Sequence, residues 1–409
     1  VPAHVLLRGE HEGTAHERRL RRYARWRLSP AFLSRVEWVA RELIRRGRTA
    51  REALEEIARF EQWATAHGVQ LTLITSRRAA ALDLPNTTVQ RCLPSLSEPS
   101  RATSLRLLAA NWIVQRIARH ADLLHVLAEP YALAALATSK PRLVTAHGTY
   151  LPQTAQAPLF GALYRHIYRR AQIICVSRYT ERRVRAILRD VRTHVIPNGV
   201  NLTRFAQPSS VSVPKRAPTV LSVGQIKPRK GFLEIAEAMA RVRQQIPEAE
   251  AVFIGNTQSD PAYVARLRAR IAALGLSQAV HLLGKLPEPE LLAWYATADV
   301  FALHSLNLGQ QFEGFGLVYL EASAAGLPVI GTRECGAEDA IRDGETGFLV
   351  QQGDVAALAA CLVRLLRDAD LRRQLGAAGR AFAAQHTWEA TARQVLARYE
   401  DALMVSRRR

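Results

Sequence analysis

From about residue 69 the chain alternates short apolar stretches with helical ones, and this alternation breaks once and then starts again. Strand candidates fall at 69–75, 123–126, 143–146, 172–176 and 193–196, with helical stretches at 104–120, 161–170 and 180–189 between them. Residues 208–218 are rich in Pro and Ser, have no apolar period, and interrupt the pattern. It resumes with strands at 219–223, 251–254, 280–283, 300–304 and 328–331, separated by helices at 231–245, 260–274, 288–297 and 316–325. Strands alternating with helices pack as βαβ units around a parallel sheet. A chain of 409 residues is too long for one core and suits two of about 200 residues each. The pattern therefore predicts an α/β protein of two doubly wound, Rossmann-like domains. Expected boundaries are 1–207 for the first domain, 208–218 for a linker, 219–387 for the second domain and 388–409 for a terminal helix. Ligands of such sheets sit beyond the carboxyl ends of the strands, and the cleft between two such domains is the expected active site.

The first 60 residues do not follow this pattern. Six arginines fall within 18–27, interleaved with Tyr23 and Trp26, and Leu33, Val36, Val39 and Leu43 continue at helical spacing. One or two helices are expected there. The basic run reads either as a solvated helix or as an amphipathic contact with anionic lipid, with the two aromatic rings at the interface. The chain begins with Val rather than Met, so we expect a truncated or mis-started N-terminus and leave the first strand open. The formal charge of +20 comes from 56 basic and 36 acidic residues. It suits an anionic partner such as a phosphorylated ligand or an acidic membrane face, or simply an arginine-rich solvated surface. No recognised nucleic-acid motif accompanies it, and no nucleic-acid partner is expected. Cys92, Cys175, Cys335 and Cys361 form no CxxC pair or Cys/His cluster, so free thiols and no metal site are expected. No apolar run reaches the ~18 residues of a membrane span.

The segment richest in chemistry is Glu313-Gly-Phe-Gly-Leu-Val-Tyr-Leu-Glu321, continued by Gly326-Leu-Pro328-Val-Ile. Two carboxylates lie eight residues apart, the first in a Gly-containing turn and the second inside the following helix. Gly314 and Gly316 let a ligand approach the backbone closely. A helix starting near Gly316 points its N–H groups and positive dipole end at that turn, a ready phosphate site. Taken alone, Glu313 is equally a loop carboxylate and Glu321 a solvated helix residue; the glycines and the continuation favour a site.

This stretch resembles the Glu-x7-Glu signature of the family 4 retaining glycosyltransferases, which have the GT-B fold. Other segments follow in the family's order. Leu221-Ser-Val-Gly224-Gln-Ile-Lys-Pro-Arg229-Lys230-Gly231 is similar to its strand and phosphate loop. Val252-Phe-Ile-Gly255, Leu282-Leu-Gly284-Lys-Leu286 and Gly344-Glu-Thr-Gly347 are similar to its later segments, and His147-Gly148, Val176-Ser177 and Asn198-Gly199 to its earlier ones. The likeness covers roughly residues 122–403.

The resemblance implies a sugar transferred from a nucleoside diphosphate sugar, as co-substrate, to a saccharide, lipid-linked or small-molecule acceptor, with retention and without a metal or other cofactor. Glu321 would hold the ribose hydroxyls and Glu313 the donor sugar. Backbone N–H groups around Gly314, Phe315, Gly316 and Leu317 would hold the diphosphate, and Lys230 would neutralise the leaving phosphate. His147 would lie across the cleft near the sugar. Arg229, Gln225, Gly255 and Leu286 would line the nucleotide site, and the terminal helix would cross back to the first domain. Cytoplasmic location, peripheral at the inner membrane face, is the matching expectation. One departure stands out: the family usually has Arg where this chain has Gln225, leaving Lys227 or Arg229 to supply the charge. A catalytically impaired sugar-nucleotide-binding protein and a GT-B epimerase are the alternatives. Ser177 and Thr180 read as helix-capping residues, and His125 and Asn198-Gly199 as structural.

Overall fold

A computed structural model describes residues 71–76, 87–94, 101–206, 211–215 and 217–407. The basic run at 18–27 lies outside the described residues. Strands β1 (Leu71–Ser76) and β2 (Thr87–Leu93) form a parallel pair. After helices α1 (Arg101–Ala109) and α2 (Asn111–Ala118) comes a four-stranded parallel sheet in chain order. Its strands are β3 (Leu124–Val126), β4 (Arg142–Ala146), β5 (Gln172–Cys175) and β6 (Arg192–Val195). A 3₁₀ turn (Glu129–Ala135) follows β3, α3 (Tyr150–Ala155) and α4 (Gly161–Arg169) follow β4, and α5 (Arg178–Ile187) follows β5.

The single helix expected over 104–120 is two. Asn111 turns its Nδ2 onto the carbonyls of Leu107 and Leu108, at 3.3 and 3.1 Å, and onto Leu133 O at 2.8 Å. Its Oδ1 accepts from Ala137 N at 2.9 Å. A side chain that competes for backbone groups in this way breaks the helix and ties the break to the neighbouring 3₁₀ turn.

After α6 (Leu202–Ala206), the second unit runs β7 (Thr219–Val223), α7 (Phe232–Arg243), β8 (Glu250–Ile254), α8 (Pro261–Ala273), β9 (Val280–Gly284), α9 (Glu288–Thr297) and β10 (Val300–Ala302). It continues with α10 (Leu317–Ala325), β11 (Val329–Thr332), α11 (Ala337–Ala340), β12 (Gly347–Val350), α12 (Val355–Arg367) and α13 (Ala369–Gln385). Its six parallel strands stand in the order β9-β8-β7-β10-β11-β12. The strand order reverses between β7 and β10, so the crevice beyond their carboxyl ends is the expected ligand position. Strands β4, β5, β7, β10 and β11 are buried along their whole length, which is why each reads as a short run rather than an alternation. Helices α8, α12 and α13 start on Asp260, Asp354 and Asp368, each accepting from a backbone N–H three residues on.

Each unit has its own apolar core. The last helix, α14 (Trp388–Arg407), packs on the first unit's sheet. There His125, 1% exposed, meets the Tyr399 hydroxyl through Nδ1 and Thr145 Oγ1 through Nε2, both at 2.8 Å. His125 is thus a core residue that fastens α14. All four cysteines are free. Among the described residues no helix is long and apolar enough to cross a membrane.

Candidate active site

At the switch point β7 runs out into Gly224 and Gln225, and a 3₁₀ turn (Pro228–Lys230) leads into α7. Gly231 caps α7 with φ of +68°. A Cβ there would also collide with the His304 carbonyl just past β10, so glycine alone lets the turn close on that strand end. Leu306 N donates to Arg229 O at 2.8 Å and fixes the contact. Lys230 is thereby carried inside, 5% exposed. Its ammonium bonds Glu313 Oε2, and the same oxygen accepts from Arg229 Nη1 at 3.3 Å and Ser305 Oγ at 3.2 Å. Lys230 and Glu313 are 83 residues apart, and only the sheet topology brings them together. Two cations around one carboxylate leave this buried spot with a net positive charge, suited to a phosphate.

Past Glu313 the chain makes the Gly314–Gly316 turn. Gly316 caps α10 in the left-handed region, at φ +81°, which opens the helix's first N–H groups toward the turn. Residues 317–324 of α10 are buried, so the helix is fixed on all sides. Glu321, on its second turn and 5% exposed, accepts from the Tyr295 hydroxyl at 3.0 Å. Tyr295 in turn is stacked on Phe301, ring centroids 6.1 Å apart, with Phe205 edge-on at 5.5 Å. A carboxylate whose partner ring is packed this tightly has one orientation.

The first unit contributes the end of β4. His147 N donates to Glu129 Oε1 at 2.7 Å, and His147 Nε2 lies 2.8 Å from the Leu127 carbonyl. A carbonyl can only accept, so Nε2 carries the proton. Gly148 sits against the Gly314–Gly316 turn, where a Cβ would meet Gly314 Cα at 3.2 Å. Glu129, 1% exposed, anchors this corner. Burial pushes its carboxyl up to about 7, against the N–H groups of its own residue, His147 and Gly148, which pull it down. From about 4.5 to about 7 the folded chain holds a proton that the unfolded chain has released. The stabilisation is complete below that window and is lost as the pH rises through it. Glu129→Gln is expected to flatten this part of the Tm-against-pH curve; an unchanged slope would assign it elsewhere.

The remaining expected residues frame the site. Gln225 is 8% exposed at the end of β7, and a Cβ on Gly255 would collide with Gly224 O and lie 3.6 Å from Gln225 N. Leu286 lies between β9 and α9, half-buried against the second core. Arg229 lies beside the Lys230–Glu313 pair and shares its carboxylate oxygen. Ser177 does cap α5, its Oγ accepting from Thr180 N at 2.9 Å. Capping is not the whole role of Ser177 and Thr180, because both hydroxyls also donate to Gly314 O in the other unit. Sequence reasoning passed over Glu129, Tyr295 and Ser305. For Glu129 a signal existed, a carboxylate followed by Pro just past a strand end.

Residues 204–382 match the family model described as glycosyl transferases group 1, and residues 57–204 match that of glycosyltransferase family 4. The chain is 31% identical over 281 residues to a GDP-mannose-dependent alpha-(1-6)-phosphatidylinositol monomannoside mannosyltransferase of Mycobacterium tuberculosis, covering 65% of this chain and 72% of that one. It is 33% identical over 222 residues to a D-inositol 3-phosphate glycosyltransferase of Jonesia denitrificans, covering 51% of each. The chain spans about half to three-fifths of the length of several such curated relatives, between 51% and 61%. Among solved structures, a sucrose-phosphate synthase of Thermosynechococcus elongatus superposes with a TM-score of 0.71 at 24% identity, over 86% of this chain and 93% of that one. A glycosyltransferase of Rickettsia africae gives 0.71 at 20%, over 92% and 99%. These likenesses carry the fold alone, GT-B. Two family models that meet end to end, and a relative matched over most of its length, place this chain among the family 4, group 1 glycosyltransferases.

Proposed function

We propose that the chain transfers a sugar from a nucleoside diphosphate sugar to a hydroxyl of a phosphate-bearing or lipid-linked acceptor, with retention and without a metal. The observation that carries this reading is the buried Lys230–Arg229–Glu313–Ser305 cluster at the switch point, set beside the N-terminus of α10. In transfer the bond from the anomeric carbon to the diphosphate oxygen breaks, and negative charge grows on that oxygen. Lys230, Arg229 and the backbone N–H groups of the turn stabilise the growing charge, and donors fixed before reaction do so without reorganising. The acceptor hydroxyl adds on the face the leaving group vacates, and the departing phosphate takes its proton. Arg229 supplies the positive charge that Gln225 lacks. Glu321, oriented by Tyr295, holds the ribose diol.

GDP-mannose is the first donor to test, because relatives are named GDP-mannose-dependent. An inositol bearing a phosphate is the first acceptor class, since relatives are named for phosphatidylinositol monomannoside and for D-inositol 3-phosphate. The net charge of +20 suits such an acceptor and an anionic membrane face, and fits a protein working peripherally at the inner surface. Calorimetric titration with GDP-, UDP- and ADP-sugars, followed by assay of slow donor hydrolysis, tests the donor site. One base should be selected, and Glu321→Ala should weaken it roughly 10- to 100-fold, the worth of a charged hydrogen bond or two. Failure of every nucleotide to bind would sink the reading.

A further inference from the structure

The turn proposed to hold the donor phosphates is gripped from the other domain. Ser177 Oγ donates to Gly314 O at 2.6 Å, and Thr180 Oγ1 donates to the same carbonyl at 3.1 Å. Both residues are 0% exposed and lie 137 and 134 residues away in sequence. The end of α5 that carries them is docked by further contacts. Asp339 Oδ2 accepts from Arg178 N at 3.0 Å, so a carboxylate of the second unit caps a helix of the first. The Tyr179 ring stands edge-on to Phe312 at 5.2 Å, and its hydroxyl accepts from Asn307 Nδ2 at 2.9 Å. Arg182 pairs with Glu338 at 3.1 Å.

The carbonyl of Gly314 and the N–H of Phe315 belong to one planar trans peptide, so they point in opposite directions. Holding the carbonyl toward α5 aims the N–H away from α5. Two hydroxyl donors on one carbonyl also polarise the peptide and make its N–H a stronger donor. We propose that Ser177 and Thr180 are positioning residues for the donor: by fixing and polarising the Gly314 carbonyl, they aim the Phe315 N–H at the donor diphosphate. The inference rests on the donor site proposed above. It means that the phosphate grip of one domain is completed by two hydroxyls of the other.

Thr180→Val keeps the shape of the side chain and leaves the Ser177 cap in place. It is expected to weaken the nucleoside diphosphate that the wild-type chain selects among GDP, UDP and ADP by about five- to tenfold. Ser177→Ala should do at least as much, and Ser177→Thr, which keeps both the cap and the donor, should restore binding to within about twofold. Binding of the parent nucleoside, measured by competition, and Tm should stay at wild-type values in Thr180→Val. Equal diphosphate affinity in Thr180→Val and wild type overturns the inference alone. A parallel loss of nucleoside binding overturns it too, because the variant would then have damaged the base pocket or the fold. A wild-type chain that binds none of the three diphosphates overturns the donor-site reading first and this inference with it.

Discussion

Lys230→Ala is expected to lower kcat/KM for sugar transfer by about 10²–10³-fold, the range seen when one fixed donor to a developing oxyanion is removed. The loss should sit in kcat, because the growing charge on the leaving phosphate is larger in the transition state than in the bound donor. The substitution also leaves Glu313, 6% exposed, with Arg229 and Ser305 still on its Oε2. Losing one of the two cations on a buried carboxylate, together with the packing of the lysine stem, should lower Tm as well. The two effects separate in Lys230→Met, which keeps a buried stem and removes the charge. Tm should recover in part, because Arg229 still pairs with Glu313, while turnover should not. Lys230→Arg should rescue poorly, because a planar guanidinium fork does not reproduce the compact ammonium that bonds Glu313 Oε2. Steady-state kinetics beside thermal melts would decide. A Lys230→Ala enzyme within threefold of wild type would remove Lys230 from the chemistry.

The fold was legible first where strands are buried along their whole length, as β4, β5, β7, β10 and β11 are, because such strands announce themselves as short apolar runs between turns. The sequence also marked the residues of the Glu313–Glu321 stretch, since glycines at fixed offsets before a helix have few other uses. What it could not show was long-range pairing. Lys230 and Glu313 each read as a ligand contact, and nothing in either segment says that the two meet, because the 3₁₀ turn closes on β10 only through the approach at Gly231 and His304. Ser177 and Thr180 read as capping residues from local spacing, and Ser177 does cap α5. The second set of bonds, to Gly314, depends on how two separately folded units face each other, which no local pattern encodes. The break at Ala110 was hidden for a similar reason. Asn111 interrupts the helix because Leu133, 22 residues on, offers it a carbonyl. Glu129 was missed because a carboxylate after a strand is commonly a solvated loop residue, and the proline after it is a weak local signal beside its burial.

Gly314 is where these contacts converge, and Gly314→Ala should cost more activity than its single added methyl suggests. A Cβ at this position would collide with the His147 carbonyl on one side. The residue cannot retreat on the other, because a Cβ on Gly336 would already collide with Gly314 O, and Gly336 N donates to Glu313 O at 2.8 Å. The strain is relieved most easily by moving the two domains apart, since each has its own core and neither need open. Such a shift would stretch the Ser177 and Thr180 bonds to the Gly314 carbonyl and draw His147 away from the turn that carries Glu313. A displacement of about 1 Å at reacting groups can cost on the order of 10²-fold, so kcat/KM should fall by at least that factor. Tm should fall only a little, because few buried contacts, such as Val176 on the second core, cross between the units, and small-angle scattering should show a larger radius of gyration than in the wild type. A variant that instead melts well below the wild type would mean that the turn belongs to the core of one domain. A variant that keeps its activity within threefold would mean that the two domains do not need to meet at Gly314 for transfer.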